Sequence, residues 1–181
     1  MSTNDILDTA TGWLSEDELG SVRGQVPMVY VEAVPVRVDH LGLITKVGLL
    51  LRAQADGTVS RAVVSGRVLF GETLRDALWR HLSKDLGPDS DPKLPAGVAP
   101  FTVAEYFPDP TRASGFHDPR QHAVALGYLV PCDGDCAPAQ DALDLAWLSP
   151  TEAVDPSIAG EMSNGHGRLV RRALAFAGQL P

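Results

Sequence analysis

Residues 66–87 read GRVLFGETLRDALWRHLSKDLG, a glycine turn running into a charged amphipathic helix. Leu74, Leu78, Leu82 and Leu86 recur at helical spacing with Ala77 beside them. One face is therefore apolar, and Glu72, Asp76, Arg80 and Asp85 are left to the others. Gly71 and Glu72 are expected to open the helix and Gly87-Pro88 to end it. Upstream, Ala62-Val63-Val64 has the composition of a short apolar strand. The local order is thus strand, glycine loop, helix, an arrangement in which backbone N–H groups can face a phosphate.

This order resembles the box of the Nudix hydrolases. There a glycine is followed six positions on by a glutamate and eight positions later by an arginine. Next come a glutamate, an apolar residue, any residue, two glutamates, any residue, a glycine and an apolar residue. Gly66, Glu72, Arg80, Leu82 and Gly87 stand in that register. The three metal-binding glutamate positions hold His81, Lys84 and Asp85 instead, and Pro88 replaces the last apolar residue. The resemblance implies an α/β fold, a Nudix-like α/β/α sandwich with a mixed β-sheet between helices.

The activity it implies is hydrolysis of a nucleoside diphosphate linked to another group, ADP-ribose-like or dinucleotide in kind. Members of the family use Mg2+ or Mn2+ held by box carboxylates to neutralise phosphate charge and activate water. Positions 81, 84 and 85 lie at i, i+3 and i+4 and so share a helical face, which here carries an imidazole, an ammonium and one carboxylate. Glu72, His81, Lys84 and Asp85 are the catalytic positions carried over by the resemblance. Asp85 is the one hard-metal ligand on the face at 81, 84 and 85, and a cation is needed only if the chain is catalytic. Two functions follow. One is a pyrophosphohydrolase of weak or lost activity that draws on Asp85 and on carboxylates outside the box, such as Glu105 or Glu161. The other is a non-catalytic nucleotide-binding or protein-interaction module.

Outward from the box, residues 26–38 alternate loosely between apolar and polar, and residues 43–51 are densely apolar, so both read as strands. Asp56-Gly57 is a turn signal that joins the second of these to the strand before Gly66 as a hairpin. Residues 88–100 hold four prolines and read as a loop, after which Phe101-Thr102-Val103-Ala104-Glu105-Tyr106-Phe107 resumes a strand. A second polar loop, residues 108–121, contains Arg112 and the triplet Asp118-Pro119-Arg120 before an apolar strand at 122–130. The triplet is similar to the loop of Nudix members that act on ADP-ribose or related dinucleotides. Because a guanidinium fork can bind phosphate bidentately, Arg67, Arg112 and Arg120 are the expected ligand-binding residues. Taken alone, Asp118-Pro119 also reads as a plain turn with Arg120 as an exposed charge.

Ser15 with Glu18, and Ser149 with Glu152, have capping-box spacing, and Pro150 sits at a first helical position. Each pair follows a Trp-Leu dipeptide, Trp13-Leu14 and Trp147-Leu148, and both indoles are expected to anchor helix starts to the core. Near the end, Leu169, Val170, Ala173, Leu174 and Ala177 form the apolar stripe of a last helix, with Arg168, Arg171 and Arg172 around it.

A chain of 181 residues with 44% hydrophobic and 21% charged residues fits one globular unit. It divides into an N-terminal segment with a short helix, residues 1–25, and the α/β domain, residues 26–181. The net charge of −8 disfavours nucleic acid and anionic membrane at long range, while a small phosphate-containing ligand stays compatible with local arginines. A homodimer is allowed. Residues 1–11 are polar and acidic, unlike a signal or transit peptide, which leads to an expected cytoplasmic location. The two cysteines, Cys132 and Cys136, lie in Pro-Cys-Asp-Gly-Asp-Cys-Ala-Pro, which reads as an exposed hairpin tip bearing reduced thiols, with a redox pair or disulfide as the alternative.

Overall fold

A computed structural model describes residues 13–53, 57–112, 114–138 and 142–181. In chain order the elements are α1 (Glu16–Arg23), β1 (Met28–Val38), β2 (Ile44–Ala53), β3 (Val59–Ala62), β4 (Val64–Arg67) and α2 (Leu74–Leu86). They continue with β5 (Thr102–Tyr106), β6 (Ala123–Pro131), β7 (Ala142–Leu148), α3 (Pro150–Ala153), α4 (Pro156–Gly160) and α5 (His166–Phe176). The seven strands form one mixed sheet in the order β3-β2-β1-β6-β5, with β4 added to β1 and β7 added to β2. β1 and β6 run parallel through the centre, and the other pairings are antiparallel.

Strand periodicity of two sorts the core onto the two faces of this sheet. From β1, Val34 and Val36 join one cluster with Leu169, Val170, Ala173 and Leu174 of α5. Val31 and Ala33 join the other with Ala77, Leu78, Leu82 and Leu86 of α2. The expected sandwich is thus present, with α2 and α5 on opposite faces, and both apolar stripes read from the sequence are the ones buried.

Both capping boxes form. Ser15 and Ser149 accept from the backbone N–H of Glu18 and Glu152, whose side chains return to the cap backbone. α2 starts later than expected. Its cap is Thr73, which accepts from the Asp76 N–H, while Gly71 and Glu72 belong to the preceding loop. The helix ends at Gly87, whose φ of 86° is a conformation that glycine adopts without a Cβ penalty. β2 and β3 pair as a hairpin, although Asp56 of its turn lies outside the described residues.

The indoles behave differently from the expectation. Trp147 packs against the α2-side core with the Arg37 guanidinium 4.6 Å from its ring centre. Trp13 is 56% exposed, and α1 buries none of its residues fully, so Trp13 anchors nothing in the core. The cysteine pair also departs from a plain exposed tip. Cys132 is fully buried, Cys136 is half-buried and both are free thiols, with burial pushing the Cys132 thiol up to about 12.

Candidate functional site

The β1–β4 ladder sets the site. Glu32 lies opposite Ser65 and Tyr30 opposite Arg67, while Gly66 lies opposite Val31 and faces α2. The His81 imidazole occupies that side of Gly66. A Cβ built on residue 66 would fall 1.8 Å from His81 Cε1, so glycine is required by a ring and not by a turn. His81 Nε2 is 3.0 Å from the Arg67 carbonyl oxygen, which can only accept, so Nε2 carries the proton. Burial lowers the His81 pKa, partly offset by that carbonyl and reinforced by the neighbouring Arg80 and Lys84 charges. His81 is therefore neutral near pH 7, a pin between helix and strand.

That pin predicts a pH dependence. A histidine held neutral in the fold stabilises it fully above its ordinary value of 6.5, and the contribution is lost as pH falls from there through the lowered native value. Melting followed from neutral pH down to about pH 5 should show a decline that flattens in His81→Gln. An equal decline in both proteins would place the titrating group elsewhere.

Glu72 braces the glycine loop. Arg80 donates to its two carboxylate oxygens at 2.7 Å each and to the Arg67 carbonyl at 2.9 Å, and the Leu69 N–H donates to Glu72 at 2.9 Å. Burial alone would raise the Glu72 pKa, but these bonds hold it below the usual carboxylate range. Asp85, one turn beyond His81, is 1% exposed and receives Arg52 of β2 at 2.6 Å on one oxygen, while the other has no partner among the described groups.

A cleft of about 350 Å³ opens between the β1–β4 ladder, α2 and the loops before β6 and α5. Arg52, Arg67, Lys84 and Arg120 bring four cations to its wall, against the carboxyls of Glu32 and Asp118. The Asp-Pro-Arg triplet is a built element of this wall. Arg120 grips Asp118 through two side-chain bonds of 2.9 Å, and Gln121 links Asp118 at 2.8 Å to the Tyr30 hydroxyl at 2.9 Å. Burial pushes the Asp118 carboxyl up, yet Arg120 and Gln121 hold it below its ordinary value.

The sequence-expected residues separate. Arg67, His81, Lys84 and Arg120 meet at the cleft, with Asp85 tied to the lining Arg52. Arg112 does not line it, because its guanidinium sits 5.4 Å over the Phe107 ring. Glu72 is taken up by Arg80, Glu105 is exposed on β5, and Glu161 pairs with Arg61 at 2.6 Å, so none of the three carboxylates lines the cleft.

Sequence reasoning missed the floor of the cleft. Glu32, 3% exposed, accepts from the Tyr106 hydroxyl, which lies 2.7 and 2.9 Å from its two oxygens. His166 Nε2 lies 3.4 Å from Glu32, and Ser65 Oγ lies 3.5 Å away. Burial is the first cause that drives the Tyr106 pKa upward, followed by the Glu32 charge. The signal was present: a lone carboxylate within the apolar run Val-Tyr-Val-Glu-Ala-Val must find donors if the strand is central.

Divalent-cation chemistry fits this wall poorly. The face at 81, 84 and 85 offers an imidazole whose Nε2 is committed to a carbonyl and whose buried Nδ1 has no partner among the described residues, an ammonium, and a carboxylate already paired with a guanidinium on one oxygen. Among the described residues no group of three His, Cys, Asp or Glu side chains is arranged to hold a metal ion.

The family model described as a domain of unknown function, DUF4916, matches residues 9–179. The chain belongs to the DUF4916 family. A solved protein of Jonesia denitrificans DSM 20603, described as a possible asymmetric diadenosine tetraphosphate hydrolase, is similar to this DUF4916 chain at 55% identity. The match covers 87% of the chain and 98% of that protein with a TM-score of 0.84. The NUDIX domain of Shewanella oneidensis NrtR, solved with ADP ribose, matches at 16% identity and TM-score 0.54 over 97% of the chain and 98% of its own length. A C. elegans Ap4A hydrolase in a binary complex matches at 16% identity and TM-score 0.58, covering 83% of the chain and 98% of that protein. At such identities the last two likenesses concern the fold, which is that of the Nudix hydrolases. No curated protein matches the chain. Among the described residues no helix is long and apolar enough to cross a membrane.

Proposed function

We propose that the protein binds a nucleoside diphosphate or polyphosphate joined to a second group, and that metal-dependent hydrolysis of it is weak or lost. The observation that carries this reading is that cations stand at, or pair with, positions where the box it resembles has metal-binding carboxylates. Lys84 stands at one such position, and Arg52 neutralises Asp85 at another. A phosphate chain lying along Arg67, Lys84 and Arg120 would receive from side chains the charge compensation that a cation supplies in the enzymes this box resembles. The ADP-ribose and Ap4A descriptions of proteins sharing the fold agree with an anionic, nucleotide-linked ligand.

The competing reading, hydrolysis, is favoured by the description of the 55% identical protein. One experiment separates the two. The protein is melted with ADP-ribose or diadenosine tetraphosphate, with and without Mg2+ or Mn2+, while released phosphates are followed. A rise in Tm that needs no metal is expected, since a ligand at about 100 times its Kd adds about 2.7 kcal/mol to folding. Arg120→Ala should shrink that rise. Turnover well above the metal-free control overturns the binding reading, and an equal rise in wild type and variant returns Arg120 to the role of surface charge.

A further inference from the structure

A second cavity, about 480 Å³, adjoins the cleft and is lined by Trp13, Leu69, Arg80, Arg67, His81 and Lys84. The last three line both cavities, so a cationic ridge separates a polar chamber from one walled by an indole and a leucine. Resting on the proposed nucleotide binding, we propose that this second chamber is a base subsite. In it Trp13 stacks the distal aromatic base of a two-headed ligand whose phosphates lie on the Arg67–Lys84 ridge.

Three features support the assignment. Trp13 is more than half exposed, where an indole serving only the core would be covered. It is also held in place. It lies two residues before the Ser15 cap, whose box with Glu18 closes at 2.8 Å, and the Arg80 guanidinium sits 5.6 Å from its ring centre. Arg80 is in turn fixed by Glu72, so the indole, the guanidinium and the glycine loop form one braced unit. The far end of α1 is tied to the cleft as well, through Arg23 to Gln121 at 2.9 Å. Finally, the charge pattern orders the ligand. Cations occupy the ridge and apolar surface lies beyond it, which matches polyphosphate followed by a base. A free phosphate or a mononucleotide would leave the indole uncovered.

The test compares diadenosine tetraphosphate with adenosine tetraphosphate, which carries as many phosphates and lacks the second nucleoside. Calorimetric titration of the wild type should show tighter binding of the two-headed ligand by about tenfold, the order of one base–aromatic stack. Trp13→Ala should abolish that preference by bringing the two affinities together, and Trp13→Phe should keep most of it. Tryptophan emission quenched by the two-headed ligand should lose that quench in Trp13→Ala, although Trp79 and Trp147 remain. Equal affinities for the two ligands in the wild type, or a preference that survives Trp13→Ala, overturns the subsite while leaving the cleft reading intact. Failure of both ligands to bind overturns the cleft reading and the subsite with it. Unchanged affinities with an altered sedimentation coefficient in Trp13→Ala would make the indole a contact between copies of the chain, which also overturns it.

Discussion

Gly66→Ala is expected to cost about 3 kcal/mol or more, a large fraction of the stability of a domain this size. The added methyl would fall 1.8 Å from His81 Cε1, and the ring cannot swing aside without giving up its contact with the Arg67 carbonyl. Val31 and Leu82, both fully buried, belong to the tightly packed cluster between that face of the sheet and α2. The loss should be conditional on the ring. Adding His81→Ala to Gly66→Ala should recover part of the stability, because the methyl then enters the vacated space. Denaturant titration of the two single variants and the double variant measures this coupling. Additive losses would mean that Gly66 is needed for its backbone conformation and not for the imidazole beside it.

Arg52→Ala should be nearly as damaging, for an electrostatic reason. It strands the Asp85 carboxylate, 1% exposed and with one oxygen already unpartnered among the described residues, and breaking a buried pair from one side costs about 3–5 kcal/mol. Arg52 retains 21% exposure, which places the loss toward the lower end. Arg52→Ala with Asp85→Asn should recover stability at neutral pH. Unchanged unfolding of Arg52→Ala would show that solvent already screens the pair. The same variant bears on metal affinity, since it leaves Asp85 as a carboxylate without its guanidinium. Placing glutamate at 81 and 84 alone would leave Arg52 in place and would also remove the ring that fills the space beside Gly66.

The parts of this molecule that were legible in the sequence are those written in local spacing. Ser15 with Glu18, Ser149 with Glu152, the leucine stripe of α2 and the apolar stripe of α5 each lie within one helix, so a periodicity of 3.6 or a cap offset of three reveals them. The glycine, glutamate and arginine of the box were legible through their fixed spacing, and the glutamate and arginine do brace one loop. What spacing could not show is which element faces which. His81 and Asp85 read as two positions of one metal-binding helical face because their helical offset is all that the sequence displays. Their partners, the Arg67 carbonyl and Arg52, come from separate strands. Glu32, Tyr106 and His166 come from β1, β5 and α5, and only sheet order brings them together. Trp13 misled because a Trp-Leu pair ahead of a cap looks the same whether the helix behind it is buried or lies on the surface.

The parallel pairing of β1 with β6 also has a bearing on how the protein is made. It joins residues 28–36 to residues 123–131, from the first fifth of the chain to its last third. On a ribosome, β1 can find β2 and β4 early, since both follow it closely. Its other edge stays open until β6 emerges, and closing so long a loop is slow. During that interval an apolar strand with unpaired N–H and C=O groups is available to other chains. Expression yield should therefore depend on synthesis rate and temperature more steeply than the stability of the finished sheet would suggest.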